Sequence, residues 1–217
     1  MKYKLIIFDL DGTLLNTLDD LADSLNTALA HFSFPKRSLP EVRHFLGNGM
    51  QRLVEQSVPD GTSADTTAEV LTVFKQYYKE HCSDRTKPYD GIYELLTALK
   101  ENGCLMAVVS NKGDFAVQIL CEQYFPGVFD AVAGEKAGIR KKPAPDTVNH
   151  VLAQLDIDRT DTVYIGDSEV DIETAQNAHM NCLSVDWGFR TREELLQAGA
   201  TVILSQPSDI LSNILAI

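Results

Sequence analysis

The sequence predicts an α/β fold, a doubly wound parallel sheet with a helical module inserted after its first strand. Three observations predict it. Short apolar runs of β-forming residues recur along the chain, helical patterns separate them, and residues 17 to about 85 break the alternation with helices alone. Strands that alternate with helices favour parallel pairing, and apolar runs without polar interruption suit strands covered on both faces.

Taken in order, Leu5 to Phe8 reads as the first strand, and it stops abruptly at Asp9. Leu18, Leu21, Leu25, Ala28, Leu29 and Phe32 then recur at helical spacing. Pro40 to Val58 reads as short helices interrupted at Gly47-Asn48-Gly49, and Ser63 to His81 is helical again, with Val70, Val73, Phe74 and Tyr77 on one side. No strand is expected in this stretch, and the chain returns to the sheet near Arg85 to Asp90. Asp90 is expected to cap a helix that carries Tyr93, Leu95, Leu96 and Leu99 and stops at Gly103. Strands are predicted at Leu105 to Val109, Phe129 to Ala133, Thr162 to Ile165, Cys182 to Val185 and Thr201 to Leu204. The helices between them are Phe115 to Tyr124, Pro145 to Leu155 and Asp171 to His179. The division that follows is a core of residues 1–16 and 86–217 and a helical insertion of residues 17–85.

Composition narrows the function. The chain has 217 residues and 44% apolar content, enough for a real core. Nineteen basic against thirty-one acidic residues give a net charge of −12, which argues against nucleic acid or an anionic membrane as the main partner. No secretory leader or membrane-spanning run is expected. Cys82, Cys104, Cys121 and Cys182 are scattered, which fits free thiols in the cytoplasm rather than disulfides or structural zinc. The five histidines form no ligand pair at helical spacing.

The chemistry is concentrated where predicted strands end. Asp9 and Asp11 lie two apart, so on an extended chain both face one cleft while Leu10 faces away. Two carboxylates that close call for a cation or a shared proton. Asp-x-Asp-Gly is also a common turn. A calcium loop fits poorly, because Thr13 and Asp20 occupy positions where such a loop carries an acidic ligand and a glutamate, and a strand rather than a helix precedes it. Ser110-Asn111-Lys112 follows the second of these strands, Lys142-Pro143-Ala144-Pro145-Asp146 precedes a helix, and Gly166-Asp167-Ser168-Glu169-Val170-Asp171 follows another strand. Each is ordinary loop chemistry alone. Together they sit at strand–helix junctions that meet at one end of a parallel sheet, where ligands bind.

These four stretches resemble the four motifs of the haloacid dehalogenase superfamily, in order and across nearly the whole chain. The resemblance implies a Rossmann-like core with an α-helical cap at residues 17–85. It implies that Asp9 is a nucleophile toward phosphorus and that Asp11 protonates the leaving group and then activates water. Ser110, Asn111 and Lys142 would hold the phosphoryl oxygens. Mg2+ is the implied cofactor, with Asp9, the Asp11 carbonyl and Asp167 as ligands and Asp171 one shell out. Asp11 separates the chain from dehalogenases, which expel a halide without needing an acid. Leu21 stands where β-phosphoglucomutase-like relatives carry a histidine.

Phe45-Leu46-Gly47-Asn48-Gly49 resembles a stretch of phosphoglycolate phosphatases, which implies that Gly47, Asn48 and Gly49 contact the substrate, with Arg43 or Arg52 nearby. The same triplet also reads as a helix-breaking turn. Asn16 departs from the aspartate usual after the first motif and is similar to some pyrophosphatases of the superfamily. The expected function is hydrolysis of a small phosphate monoester, 2-phosphoglycolate first. The alternatives are a sugar phosphate, pyrophosphate, a mutase reaction, or a catalytically silent binding protein. The expected partner is a small phosphorylated metabolite bound by a monomer or homodimer, and hinges are expected near Asn16-Thr17 and Arg85 to Pro88.

Overall fold

The structure is a computed structural model and describes residues 2–215. Its chain begins with β1 (Leu5–Phe8) and β2 (Leu15–Asn16), passes through helices α1 (Leu18–His31), α2 (Leu39–Phe45), α3 (Gly49–Ser57) and α4 (Ala64–His81), and returns in β3 (Lys87–Pro88). There follow α5 (Ile92–Glu101), β4 (Leu105–Gly113), α6 (Asp114–Tyr124), β5 (Ala131–Glu135), α7 (Asp146–Leu155), β6 (Thr162–Gly166), α8 (Glu169–Asn177), β7 (Asn181–Val185), α9 (Arg192–Gln197), β8 (Ile203–Leu204) and α10 (Pro207–Leu215).

Six strands form one sheet in the order β5-β4-β1-β6-β7-β8, and every neighbouring pair is parallel. Alternation along β1 sends Ile6 and Phe8 into one buried cluster and Leu5 and Ile7 into another on the opposite face. Both faces are therefore covered, which explains the uninterrupted apolar run. From β1 the chain builds β4 and β5 on one side, then crosses to β6, β7 and β8 on the other, so a crevice opens beyond the carboxyl end of β1.

The helical segment packs on itself and on that end of the sheet. Leu21, Leu25, Ala28 and Leu29 of α1 share one buried cluster with Val70, Phe74 and Tyr78 of α4. In front of α2, Glu41 reaches back to accept hydrogen bonds from the Ser38 amide and hydroxyl at 2.8 and 2.6 Å. The Ser63 hydroxyl caps α4 by accepting from the Thr66 amide at 3.1 Å. Among the described residues no helix is long and apolar enough to cross a membrane.

Several boundaries differ from expectation for identifiable reasons. The two connections to the helical segment run side by side as an antiparallel ribbon, Leu15 opposite Pro88 and Asn16 opposite Lys87. A proline and a two-residue length hide such a ribbon from pattern reading. Asp20 braces it, accepting from the amides of Arg85 at 3.0 Å and Thr86 at 2.8 Å. Asp90 does not cap α5; Gly91 takes that position with φ +87° and no side-chain cap. Helix α8 starts at Glu169, two residues early, because Asp171 reaches back to the Ser168 amide and hydroxyl at 3.1 and 2.6 Å. Strand β4 runs on to Gly113 through a register shift after Val109, and β8 is only Ile203–Leu204.

Candidate active site

The carboxyl ends of β1, β4 and β6 place the predicted motifs around one point. Asp9 leaves β1 with its amide still bonded to the Ile165 carbonyl at 2.9 Å, which fixes its backbone. Its Oδ1 accepts from the Leu10 amide at 2.7 Å and lies 3.1 Å from Lys142 Nζ. Its Oδ2 has no hydrogen-bond partner among the described residues. Leu10 turns away into the core. Gly12 then reverses the chain at φ +84°, and a Cβ there would collide with the Asp167 carboxylate.

Asp9, Asp167 and Asp171 each offer a carboxylate oxygen, and these oxygens lie within 4.8 Å of one another. All three residues are buried. Asp167 accepts from the Thr13 hydroxyl at 3.1 Å and the Phe189 amide at 2.7 Å. Asp171 uses one oxygen for Ser168 and the other for Lys142 Nζ at 2.7 Å. Lys142 completes its contacts with the Tyr164 hydroxyl at 3.1 Å, and that hydroxyl donates onward to the Val109 carbonyl at 3.0 Å.

Burial pushes the Asp9 carboxyl up to about 7; Lys142 opposes the shift, and the charges of Asp171 and Asp11 add to it. Burial, then Asp171 and Asp9, hold Asp167 well above the usual carboxylate range. Burial alone would depress the Lys142 ammonium, but Asp171 and Asp9 outweigh it and keep it well above its ordinary value. One ammonium against three clustered carboxylates leaves the group short of positive charge. The donors are all oxygens, so the residues present fit a hard divalent cation.

Asp11 stands apart from this cluster. Its carboxylate accepts from Lys112 Nζ at 2.9 and 3.0 Å and from the Thr17 hydroxyl at 2.7 Å. That leaves its carbonyl as the group by which it could join a metal. Asp9, Asp11, Ser110, Asn111 and Asp167 nevertheless line one cavity of about 40 Å³, whose far wall is Leu21, Leu46, Met50 and Leu53 from the helical segment. That space has room for roughly three water molecules.

The Asn111 side chain is a brace between the two parts. It donates to the carbonyls of Gly47 and Lys142 at 3.1 and 3.0 Å, and its Oδ1 accepts from the Lys142 amide at 2.8 Å. Gly47 and Gly49 line the cavity, whereas Asn48 does not; its carbonyl accepts from Lys141 Nζ at 2.8 Å. Arg52 is exposed and faces Glu55, away from the site. Arg43 instead grips the core, donating to the carbonyls of Phe189 and Gly188, both at 2.7 Å.

Sequence reasoning did not assign Lys112, Arg190 or Tyr164. Arg190 pairs with Glu169 at 2.7 Å and donates to the carbonyls of Arg43 and Leu46 at 3.2 and 2.8 Å, returning the grip of Arg43. The lysine directly after Ser110-Asn111 was a usable signal. Arg190, in an ordinary loop, offered none.

With this geometry in place, comparisons with known proteins agree. The profile of the haloacid dehalogenase-like hydrolase family matches residues 6–185. A phosphoglycolate phosphatase of Psychrobacter arcticus is 32% identical over 93% of this chain and 91% of its own length. One from Mannheimia succiniciproducens is 31% identical over 97% of each chain. Among solved structures, a presumed phosphoglycolate phosphatase of Lactobacillus delbrueckii subsp. bulgaricus superposes with a TM-score of 0.95 at 39% identity, covering 100% of both chains. A Haemophilus somnus protein predicted to have the same activity gives 0.90 at 29% identity over 98% of each chain. The buried carboxylates at the sheet's carboxyl edge, the inserted helices and these relatives lead to one conclusion: the chain belongs to the haloacid dehalogenase-like hydrolase family.

Proposed function

We propose that this protein is a Mg2+-dependent phosphatase of small phosphate monoesters, with 2-phosphoglycolate as the preferred substrate. The observation that carries the reading is the pairing of two aspartates with different surroundings at one small cavity. Asp9 keeps an oxygen without a hydrogen-bond partner beside a buried ammonium. Asp11 lies at the cavity among groups that donate to it. The names of the relatives support the substrate.

The steps follow from these positions. Asp9 attacks phosphorus and the bond from phosphorus to the ester oxygen breaks; Asp11, which turns off Lys112 and Thr17 and takes up a proton from solvent before this step, gives that proton to the leaving oxygen. Asp11 then takes a proton from water, which attacks the same phosphorus and releases phosphate, restoring Asp9. Ser110, the Asn111 backbone and Lys142 hold the phosphoryl oxygens, where negative charge spreads in the transition state. Lys142 donates to Tyr164 and Asp171, so its remaining N–H, on the side of the Asp9 ion pair, is the one that meets a phosphoryl oxygen. A divalent cation held by Asp9, Asp167 and the Asp11 carbonyl would supply charge neutralisation that lets a dianion approach a carboxylate. Asp171, with both oxygens engaged, positions Lys142 behind it.

Leu21 brings no proton-transfer group to the cavity, which weighs against a mutase. Asp11 weighs against a dehalogenase. The protein is read as cytoplasmic, consistent with four scattered cysteines and no Cys-x-x-Cys pair. A panel of phosphorylated metabolites assayed with Mg2+ tests the function. Phosphoglycolate is expected to show the highest kcat/KM. A lead for sugar phosphates or pyrophosphate overturns the substrate, and no hydrolysis of any ester overturns the enzyme.

Residues 17–85 act in this reading as a cap that closes over the substrate, with the β2–β3 ribbon as its neck. In this reading the mutual grip of Arg43 and Arg190 favours the closed cap. Each charged hydrogen bond is worth about 1.5–3 kcal/mol. Arg43→Gln is therefore expected to raise KM about tenfold while kcat changes less than about threefold, read by steady-state kinetics. An unchanged KM would show that this grip does not favour closure.

A further inference from the structure

We propose that Lys112 is the specificity-determining residue of this site, the group that binds a second anionic moiety on the substrate, a carboxylate one carbon from the ester oxygen. This rests on the phosphatase reading and goes further, because it names the side chain that selects the substrate tail.

Two cations line the cavity among the described residues, Lys112 and Arg190. Arg190 is committed to Glu169 and to the carbonyls of Arg43 and Leu46. Lys142 donates to Asp171 and Tyr164 and lies 3.1 Å from the Asp9 carboxylate, which commits it to the acidic cluster where the phosphoryl group binds. Lys112 is different. Its side chain is 1% exposed, yet among the described residues its ammonium has one polar side-chain partner, the Asp11 carboxylate. The Tyr78 ring of α4 lies 4.6 Å from it, which holds a cation without consuming an N–H. An ammonium has three donors, so one remains for a ligand.

Its position matches the tail of the substrate. The leaving oxygen must reach Asp11 to receive a proton, and Lys112 is the group on the other side of the Asp11 carboxylate. A carboxylate one carbon from that oxygen falls next to the ammonium. The surrounding Leu21, Met50 and Leu53 keep the pocket apolar, so the ion pair is little screened and a neutral tail forfeits the charge-assisted part of the hydrogen bond. Tyr78 lies on the helical segment, so the cation sits where that segment meets the core. Tail recognition and closure thus share one contact.

The test compares 2-phosphoglycolate with the phosphate ester of glycolamide, which replaces the carboxylate by a neutral amide of the same shape. Both are assayed with Mg2+ on the same preparations of wild type, Lys112→Met, Lys112→Gln and Lys112→Arg. Partial loss of folded protein, or a disturbed Asp11, lowers both rates and cancels in their ratio. Wild type is expected to prefer the carboxylate about 10- to 100-fold in kcat/KM, the range of one charged hydrogen bond. Lys112→Met and Lys112→Gln should bring the two substrates within about threefold, largely through KM, and Lys112→Arg should restore part of the preference. An unchanged preference in Lys112→Met and Lys112→Gln overturns the assignment and leaves the phosphatase standing. Equal rates in wild type also overturn it. Failure of wild type to hydrolyse either ester overturns the phosphatase reading and this inference with it.

Discussion

Asp9→Asn is expected to abolish turnover, by at least about 10⁴-fold in kcat, because a neutral amide cannot form the acyl phosphate. The substitution preserves volume and the acceptor that meets the Leu10 amide at 2.7 Å. Its effect on stability should run opposite to its effect on activity. Burial and the neighbouring charges of Asp171 and Asp11 favour a neutral Asp9 over an ionised one, against the pull of Lys142. Removing that charge relieves a crowded cluster, so without divalent cation the variant should melt no lower than wild type. Added Mg2+ should raise its melting temperature less than it raises that of wild type, since one ligand of the cluster is weakened. Kinetics and thermal melts with and without Mg2+ check both halves. Substantial residual turnover by Asp9→Asn would remove Asp9 as the nucleophile.

The same contrast explains what was legible in the sequence. Strand β1 was legible because a run covered on both faces has no polar alternation to confuse it. The helices of the insertion were legible because each buries one stripe. The ribbon of Leu15-Asn16 and Lys87-Pro88 was not, since two residues carry no period and its pairing joins segments some seventy positions apart. Nor was the start of α8, where Asp171 serves two purposes at once, capping the helix and holding Lys142.

The candidate site divides in the same way. Residues within one short motif, such as Asp9 and Asp11, are visible as a local pattern. Lys112 meets Asp11 across 101 positions and Arg190 meets the Leu46 carbonyl across 144. A lysine or arginine in a loop has no local signature that distinguishes a buried clamp from a solvated surface charge. Only the three-dimensional arrangement assigns them.

Lys142→Met is expected to cost both activity and stability, and here the two effects run together. Lys142 is the cation that makes the buried cluster tolerable: it lies 2.7 Å from Asp171 and 3.1 Å from Asp9. An apolar chain of similar length leaves Asp171 buried with an uncompensated charge, a loss of about 3–5 kcal/mol. For a chain of this size that lowers the melting temperature by about 6–20 °C. Lys142→Arg should not restore full stability, because the planar fork cannot serve Asp9, Asp171 and the Tyr164 hydroxyl from one point. Adding Asp171→Asn to Lys142→Met should recover a large part of the stability and none of the activity, because it removes the orphaned charge without returning an ammonium to the phosphoryl oxygens. Melting curves and kinetics of the single and double variants read this coupling directly. If the double variant melts at the sum of the two single losses, Lys142 and Asp171 act independently, and the buried pair is not what holds the cluster together.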